Sequence, residues 1–335
     1  MKALITAAFD EQTLSLLRPC LEVTYEPYRK TGKIYHDADE FIEKIRREQA
    51  EVLVVEADLV HEEVFEACPL RVVGCCRGDP LNVSREAANL RGVPILYTPG
   101  RNAESVADLT IAFMLCLARN ILPVNLGLRS GKIRFEGTRD ILRVFDRYGG
   151  FELGGCTIGL VGLGRVGRRV AERLRPFGPR ILGYDPAVPE EALREIGVEP
   201  VSLPVLLESA DIVSLHAALT PESQKMIDEK ALSRMKPTAY LVNTARSFLT
   251  DEKALLKALR EGRLGGAALD VFDEEPIDSE NPFLELDNVL CTPHLGGATR
   301  DVVKRQSEMI AQDLLRYLNG ERPYHVWNPE VLPPL

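Results

Sequence analysis

At 335 residues the chain is too long for one ordinary core and is sized for two domains. Its 45% hydrophobic and 27% charged residues are those of a globular protein rather than a disordered one. A formal charge of -9 argues against nucleic acid or an anionic membrane as partner, local basic clusters aside.

The N-terminus "MKALITAAFDEQ" meets acids after a short apolar run, so it reads as a first strand and not as a signal peptide. Short β-type runs then alternate with helical ones: "KALIT", "EQTLSLLRPC", "LEVTY", "ADEFIEKIRREQ", "EVLVV", "EEVFEAC", "LRVVGCC", "SREAANLRG" and "VPILYT". Strands separated by single helices imply a parallel sheet with helices on its faces, so this is a small α/β domain ending near Thr98. Pro99 and Gly100 break the pattern, and Asn102 can cap a long helix with Glu104 and Asp108 in its early turns, where the dipole favours acids. An inter-domain junction falls here. The apolar run "LTIAFMLCLA" within that helix is about half the length that a membrane span needs, so it reads as a buried helix. The segment from Gly127 to Phe151 reads as a charged, loop-rich excursion.

A second α/β series opens with "TIGLVG" and continues as "RILGYDP", "DIVSLH", "AYLVNTA", "GGAALDVF" and "NVLCTP". The last helix, "ATRDVVKRQSEMIAQDLLRYLNG", places Val302, Val303, Met309, Ile310, Leu314, Leu315 and Leu318 at helical spacing, with Gly320 to end it. It can return to the first domain, which is then discontinuous. The seven cysteines (Cys20, Cys68, Cys75, Cys76, Cys116, Cys156 and Cys291) include no CxxC pair, so reduced, packed thiols in a cytosolic protein are expected, with no metal.

The turn "GLGRVG" sets Gly162, Gly164 and Gly167 between an apolar strand and a helix. The first glycine allows the tight turn, the second lets backbone amides approach a pyrophosphate, and the third lets helix and strand pack. Asp185 ends the next strand, where a carboxylate accepts from ribose hydroxyls and repels a 2′-phosphate, which favours NAD over NADP. The alternative for Asp185 is a plain turn residue before Pro186. Further strand ends carry Arg246, Glu275 and His294. A hydride transfer between NAD and a 2-hydroxy or 2-keto acid needs a cation for the carboxylate, an acid/base group for the hydroxyl proton and an orienting group. Arginine suits the first by its planar fork, histidine the second by titrating near neutrality, and a carboxylate the third by fixing the tautomer. Taken singly, these residues also read as a surface ion pair, an acidic turn and a loop histidine.

Together, "GLVGLGRVGRRVA", "YDP", "SLHAALTPES", "LVNTARS", "GAALDVFDEEP" and "TPHLGGAT" resemble the D-isomer-specific 2-hydroxyacid dehydrogenases, including the shorter D-3-phosphoglycerate dehydrogenases and glyoxylate/hydroxypyruvate reductases. The resemblance implies two Rossmann-like or flavodoxin-like parallel-sheet α/β domains. An NAD-binding domain (100–296) is inserted into a substrate domain built from 1–99 and 297–335, so the glycine turn comes late in the chain. It implies that Arg246 binds the substrate carboxylate, that His294 is the acid/base and that Glu275 pairs with it. For the cofactor it implies Arg165 and Val166 at the pyrophosphate, Asp270 at the nicotinamide carboxamide, and Thr244 and Ala245 by the nicotinamide ribose. Gly296 and Gly297 would let the backbone pass close to the cofactor. His216 would flank the adenine, unless it is a packing residue at a strand end.

The family's substrate loop departs here to "CCRGDPLNVS". Amides around Arg77 and Gly78 could receive a carboxylate, Asn82 and Val83 fit the family pattern, and Leu81 replaces an acid. Arg77 and Asp79 either flank the substrate or pair with each other. Arg101 could add a positive charge for a phosphorylated or longer acid. The chain ends soon after its last helix, so serine feedback through a C-terminal regulatory domain is not expected. By resemblance the protein is a cytoplasmic homodimer joined through the helix after Asn102 and the 127–151 excursion. A different class, an NAD-sensing protein of the C-terminal-binding co-repressor type, shares these motifs. A formate-type dehydrogenase would carry glutamine in place of Glu275.

Overall fold

A computed structural model describes residues 1–333 and divides the chain into two compact units, Met1–Asn102 with the segment from Thr299 onward, and Ala103–Ala298. In the first unit, strands β1 (Lys2–Ile5), β2 (Glu22–Tyr25), β3 (Val52–Val55), β4 (Val72–Cys75) and β5 (Ile95–Tyr97) form a parallel sheet of order β2-β1-β3-β4-β5. Alternate side chains along each strand face opposite helical layers. Leu4, Leu53, Val73 and Ile95 pack with Phe41, Ile45 and Val64. Ile5, Val54, Val72 and Leu96 meet Leu14, Leu17, Ile310 and Leu314. The last two come from the helix Arg300–Leu318, which begins on the capping hydroxyl of Thr299 and gives way at Gly320 (φ 76°).

That helix also buries Gln306, Ser307 and Asp313 completely, polar residues that the apolar spacing does not anticipate. Ser307 Oγ accepts from Asp10 N at 2.8 Å, and Asp313 accepts from the backbone of Tyr324 and His325. The tail beyond the helix adds to the free edge of β5 through a Leu96 to Val326 bridge and a Trp327 N to Ile95 O bond of 2.8 Å, so the edge is covered.

In the second unit β6 (Thr157–Val161), β7 (Arg180–Tyr184), β8 (Glu199–Pro200), β9 (Ile212–Leu215), β10 (Tyr240–Asn243), β11 (Gly266–Leu269) and β12 (Val289–Cys291) form a parallel sheet of order β12-β11-β10-β9-β6-β7-β8. β6, β9, β10 and β11 are almost wholly buried, as expected of strands covered on both faces. The helix Ala103–Ala118 buries Ala107, Met114 and Ala118 against Ile158, Leu160 and Ala171. No single helix among the described residues is long and apolar enough to cross a membrane.

The excursion after that helix corrects the sequence reading. It takes in the end of the helix Ile121–Arg129 and the whole of a second, Thr138–Tyr148. The second carries Ile141, Leu142 and Phe145 one turn apart, but their apolar face is exposed, so the stretch reads from sequence as charge interrupted by isolated hydrophobes.

Of the cysteines, Cys68, Cys75, Cys76 and Cys156 are buried and all seven are unbridged. Burial pushes the Cys75 thiol up to about 12, which suits a packed thiol rather than a nucleophile.

Candidate active site

Every strand in the second sheet runs the same way, so the segments following β6, β7, β9, β10, β11 and β12 all leave from one edge. In an open α/β sheet ligands gather outside that carboxyl edge, where the strand order reverses. Here the reversal lies between β6 and β9.

The glycine turn sits at that point. Gly162 has φ 91°, and a Cβ there would stand 2.3 Å from Ala217 N. A Cβ on Gly167 would stand 2.1 Å from Gly162 O, so helix and strand meet only because both positions lack side chains. A Cβ on Gly164 would meet nothing within 4 Å. The helix Arg165–Leu174 therefore starts at an open position, and its leading amides, including those of Arg165 and Val166, have no acceptor within the helix. Amides of that kind, with the helix dipole behind them, form an anion site.

Asp185 follows β7. Its carboxylate accepts from Leu163 N at 2.7 Å and from Ala187 N at 2.9 Å, which holds the acid beside the glycine turn and leaves lone pairs for further donors. His216 follows β9 and bonds Ser214 Oγ through Nε2 at 2.9 Å, while its Nδ1 is buried without a partner. Burial pushes this imidazole down to about 3, so it is neutral in the folded protein.

On the other half of the sheet, β10 leads into Thr244, Ala245 and Arg246. Thr244 is buried against Thr110, with the two hydroxyl oxygens 2.8 Å apart. Ala245 N donates to Asn243 Oδ1 at 3.0 Å, and Asn243 Nδ2 donates to Arg246 O at 2.9 Å. The side chain of Asn243 thus shapes the turn that presents Arg246. Arg246 is exposed, and its guanidinium donates to Ala245 O at 2.7 Å. Among the described residues it has no carboxylate partner, which removes the ion-pair reading and leaves its fork free for an anion.

β12 leads into His294, which takes a left-handed backbone (φ 56°) that is uncommon for a residue with a side chain. The surroundings fix it there. His294 N donates to Asp270 O at 2.9 Å, and the buried Asp270 carboxylate accepts from Thr292 Oγ1 at 2.5 Å, Leu295 N at 2.7 Å and Gly296 N at 2.8 Å. A Cβ on Gly296 would crowd Asp270 Oδ2 at 3.0 Å. Asp270 therefore clamps the histidine loop, a role that sequence alone did not suggest. Gly297 is partly buried in the same loop.

His294 Nδ1 lies 2.7 Å from Glu275 Oε2, and Glu275 Oε1 accepts from Phe272 N at 3.1 Å. With a carboxylate as acceptor, Nδ1 carries the hydrogen and Nε2 is the nitrogen left for a substrate. The structure thus joins Glu275 to His294, nineteen residues away, as neither a solvated acidic turn nor an isolated loop histidine would be.

The strand-end segments of the first unit are built differently. Arg77, Gly78 and Asp79 are exposed after β4, and no ion pair links Arg77 to Asp79 among the described residues, so their mutual pairing is not found. Leu81 is exposed, while Asn82 is buried and ties the loop to Asp58 O at 2.7 Å. The charge expected of Arg101 is already used: its guanidinium pairs with Glu56 at 2.9 Å and bonds Gln306. Glu56, directly after β3, and Gln306, at an apolar-phase position of the last helix, were both overlooked. The strand-end position of the one and the phase of the other were the available signals.

A sequence model of the D-isomer specific 2-hydroxyacid dehydrogenase, NAD binding domain, matches residues 111–296. The chain is 42% identical over 276 residues to a glyoxylate reductase of Korarchaeum cryptofilum, covering 82% of this chain and 81% of that one. It is 37% identical to a D-3-phosphoglycerate dehydrogenase of Methanocaldococcus jannaschii, over 99% of this chain but 60% of that longer protein. Among solved structures, the TT0316 protein of Thermus thermophilus superposes with a TM-score of 0.82 at 34% identity, covering 98% and 100% of the two chains. Apo D-lactate dehydrogenase of Escherichia coli gives 0.78 at 27%, covering 98% and 100%. The glyoxylate reductase, D-3-phosphoglycerate dehydrogenase and D-lactate dehydrogenase among them do not favour the co-repressor alternative.

Proposed function

The chain belongs to the D-isomer-specific 2-hydroxyacid dehydrogenases, and from that premise we propose that Arg246, His294 and Glu275 are its catalytic set, acting on a small unphosphorylated 2-keto acid such as glyoxylate or hydroxypyruvate. The enzyme transfers a hydride between NAD and a D-2-hydroxy acid or its 2-keto partner. The single observation that carries the catalytic assignment is the His294 to Glu275 contact of 2.7 Å at the carboxyl edge of the sheet.

NAD supplies and accepts the hydride at its nicotinamide ring. The amides of Arg165 and Val166, with Gly162, Gly164 and Gly167 giving access, would hold its pyrophosphate, and Asp185 its adenosine ribose. His216 would lie by the adenine as a neutral ring, and Thr244, Ala245, Asp270, Gly296 and Gly297 would line the nicotinamide side. Arg246 binds the substrate carboxylate and polarises the adjacent carbonyl. His294 donates a proton from Nε2 to the carbonyl oxygen in reduction and takes it back in oxidation, while Glu275 keeps Nδ1 protonated.

The first unit acts as the substrate domain, with the amides around Arg77 and Gly78 receiving the acid. The unphosphorylated preference follows from Arg101, whose charge Glu56 already offsets. A second reading, a phosphorylated 2-keto acid, is favoured by Arg77, which is exposed and has no ion pair among the described residues. Initial rates of NADH oxidation with glyoxylate, hydroxypyruvate, phosphohydroxypyruvate and four-carbon keto acids decide between them. A kcat/KM highest for phosphohydroxypyruvate would overturn the unphosphorylated assignment, and no turnover with any of them would overturn the catalytic one.

The protein works in the cytoplasm as a homodimer. Exposed apolar side chains on Ile121, Leu126, Leu128, Phe135, Ile141, Leu142 and Phe145 form a surface that a second copy would cover. Sedimentation should give a dimer, and Phe145→Glu a monomer.

A further inference from the structure

Four carboxylates crowd the segment between Phe272 and Pro276. Asp273, Glu274 and Glu275 lie on it, and Glu252 reaches it from the first position of the helix Glu252–Arg260. An acid in the first turn of a helix needs nothing more than water and the helix dipole to be stable. Glu252 instead turns inward and is partly buried, and its Oε1 accepts the backbone N–H of Asp273 at 2.8 Å. The placement is unfavourable in itself. Burial raises the Glu252 carboxyl above its ordinary value against the lowering effect of the Asp273 N–H, and the neighbouring charges of Asp273, Glu274 and Glu275 add to the rise.

The helix that carries Glu252 is a firm anchor. Asp251 caps it by accepting from Ala254 N, Lys225 pairs with Asp251 at 3.2 Å, and Leu255, Ala258 and Leu259 are buried beneath it. From this anchor a continuous chain of contacts runs to the histidine. Glu252 holds Asp273 N, the adjoining Phe272 N donates to Glu275 Oε1 at 3.1 Å, and Glu275 Oε2 meets His294 Nδ1 at 2.7 Å. Asp270 secures the histidine side of the pair through Thr292, Leu295 and Gly296. Among the described residues, Glu252 is the side chain from another element that hydrogen-bonds the glutamate side of this chain of contacts.

We propose that Glu252 is a positioning residue, which moors the segment bearing Glu275 by accepting the Asp273 N–H and so holds Glu275 against the Nδ1 of His294. The inference rests on His294 and Glu275 being the acid/base pair. What matters in it is the reach of the acceptor and not its charge. Glutamine keeps an oxygen at the same distance along the side chain, whereas aspartate keeps the charge and falls one methylene short.

The test compares Glu252→Gln and Glu252→Asp in the full-length enzyme, with NADH and glyoxylate. Glu252→Asp should lower kcat about tenfold, with KM and the Kd for NADH within about twofold of wild type, and should speed amide hydrogen exchange at Asp273. Glu252→Gln should restore both readouts. A loss of general stability would move the melting temperature but would not separate the two variants in this order. Wild-type kcat and Asp273 exchange in Glu252→Asp, or a Glu252→Gln enzyme as impaired as Glu252→Asp, would overturn the mooring role. Failure of the acid/base reading would show separately, as unchanged turnover in His294→Ala.

Discussion

The two units share one device and use it in opposite ways. Each sheet reverses its strand order once, between β1 and β3 in the first unit and between β6 and β9 in the second. In the first, Glu56 fills the crevice. Its carboxylate accepts from Ala8 N at 3.3 Å, from Gln306 Nε2 at 3.1 Å and from Arg101 at 2.9 Å, so the donors at that point are satisfied by the chain itself. In the second, the space in front of Gly164 is open and the amides that begin the next helix await an acceptor. A doubly wound sheet thus provides a place for a ligand, and one inward carboxylate is enough to withdraw it.

The contrast can be broken by experiment. The largest expected effect is on chemistry in the second unit: His294→Ala should lower kcat by roughly 10³-fold with NADH affinity nearly unchanged, as measured by steady-state rates and fluorescence titration. Next is Arg101→Ala, which leaves the Glu56 carboxylate buried without its cation. It should cost the first unit about 3 kcal/mol in denaturant unfolding while NADH titration stays as in wild type. Loss of NADH binding in that variant would mean that the filled crevice is not a purely internal structure. Asp185→Ala should weaken NADH about tenfold and narrow the preference over NADPH.

The smallest effect is on acid stability, through His216. Its folded value of about 3 lies below the ordinary 6.5, so between these limits only the unfolded chain takes up the proton. The contribution is nil above pH 6.5, and stability falls as pH drops from there toward 3. His216→Gln should therefore flatten the fall in melting temperature between pH 7 and pH 5, and equal slopes in the two proteins would argue against a neutral buried imidazole.

The parallel sheets and the NAD turn were legible because their signals are local: apolar runs of four or five residues, and glycines at fixed spacing before a helix. Arg246, Glu275 and His294 were legible only as a set, since each has an ordinary explanation when read alone. What escaped notice depends on long-range partners. Asp270 was read only as a nicotinamide neighbour, and its hold on three donors of the 292–296 loop went unseen because sequence gives no means of counting donors. Arg101 looked like spare charge because its partners Glu56 and Gln306 stand 45 and 205 positions away. The helix Thr138–Tyr148 was missed because its apolar face is left largely exposed.

The last helix carries a consequence for how the protein is made. Ile310 and Leu314 close one face of a sheet whose five strands are complete by Tyr97, and about 200 residues of the second unit are translated in between. At ribosomal speeds of about 5–20 residues per second, that face waits on the order of 10–40 s for the part of its cover that Leu14 and Leu17 do not supply. The inserted unit can fold during the delay, whereas the core of the earlier one is completed only after it. The first hundred or so residues of this polypeptide therefore stay incompletely covered during synthesis, however stable the finished enzyme is.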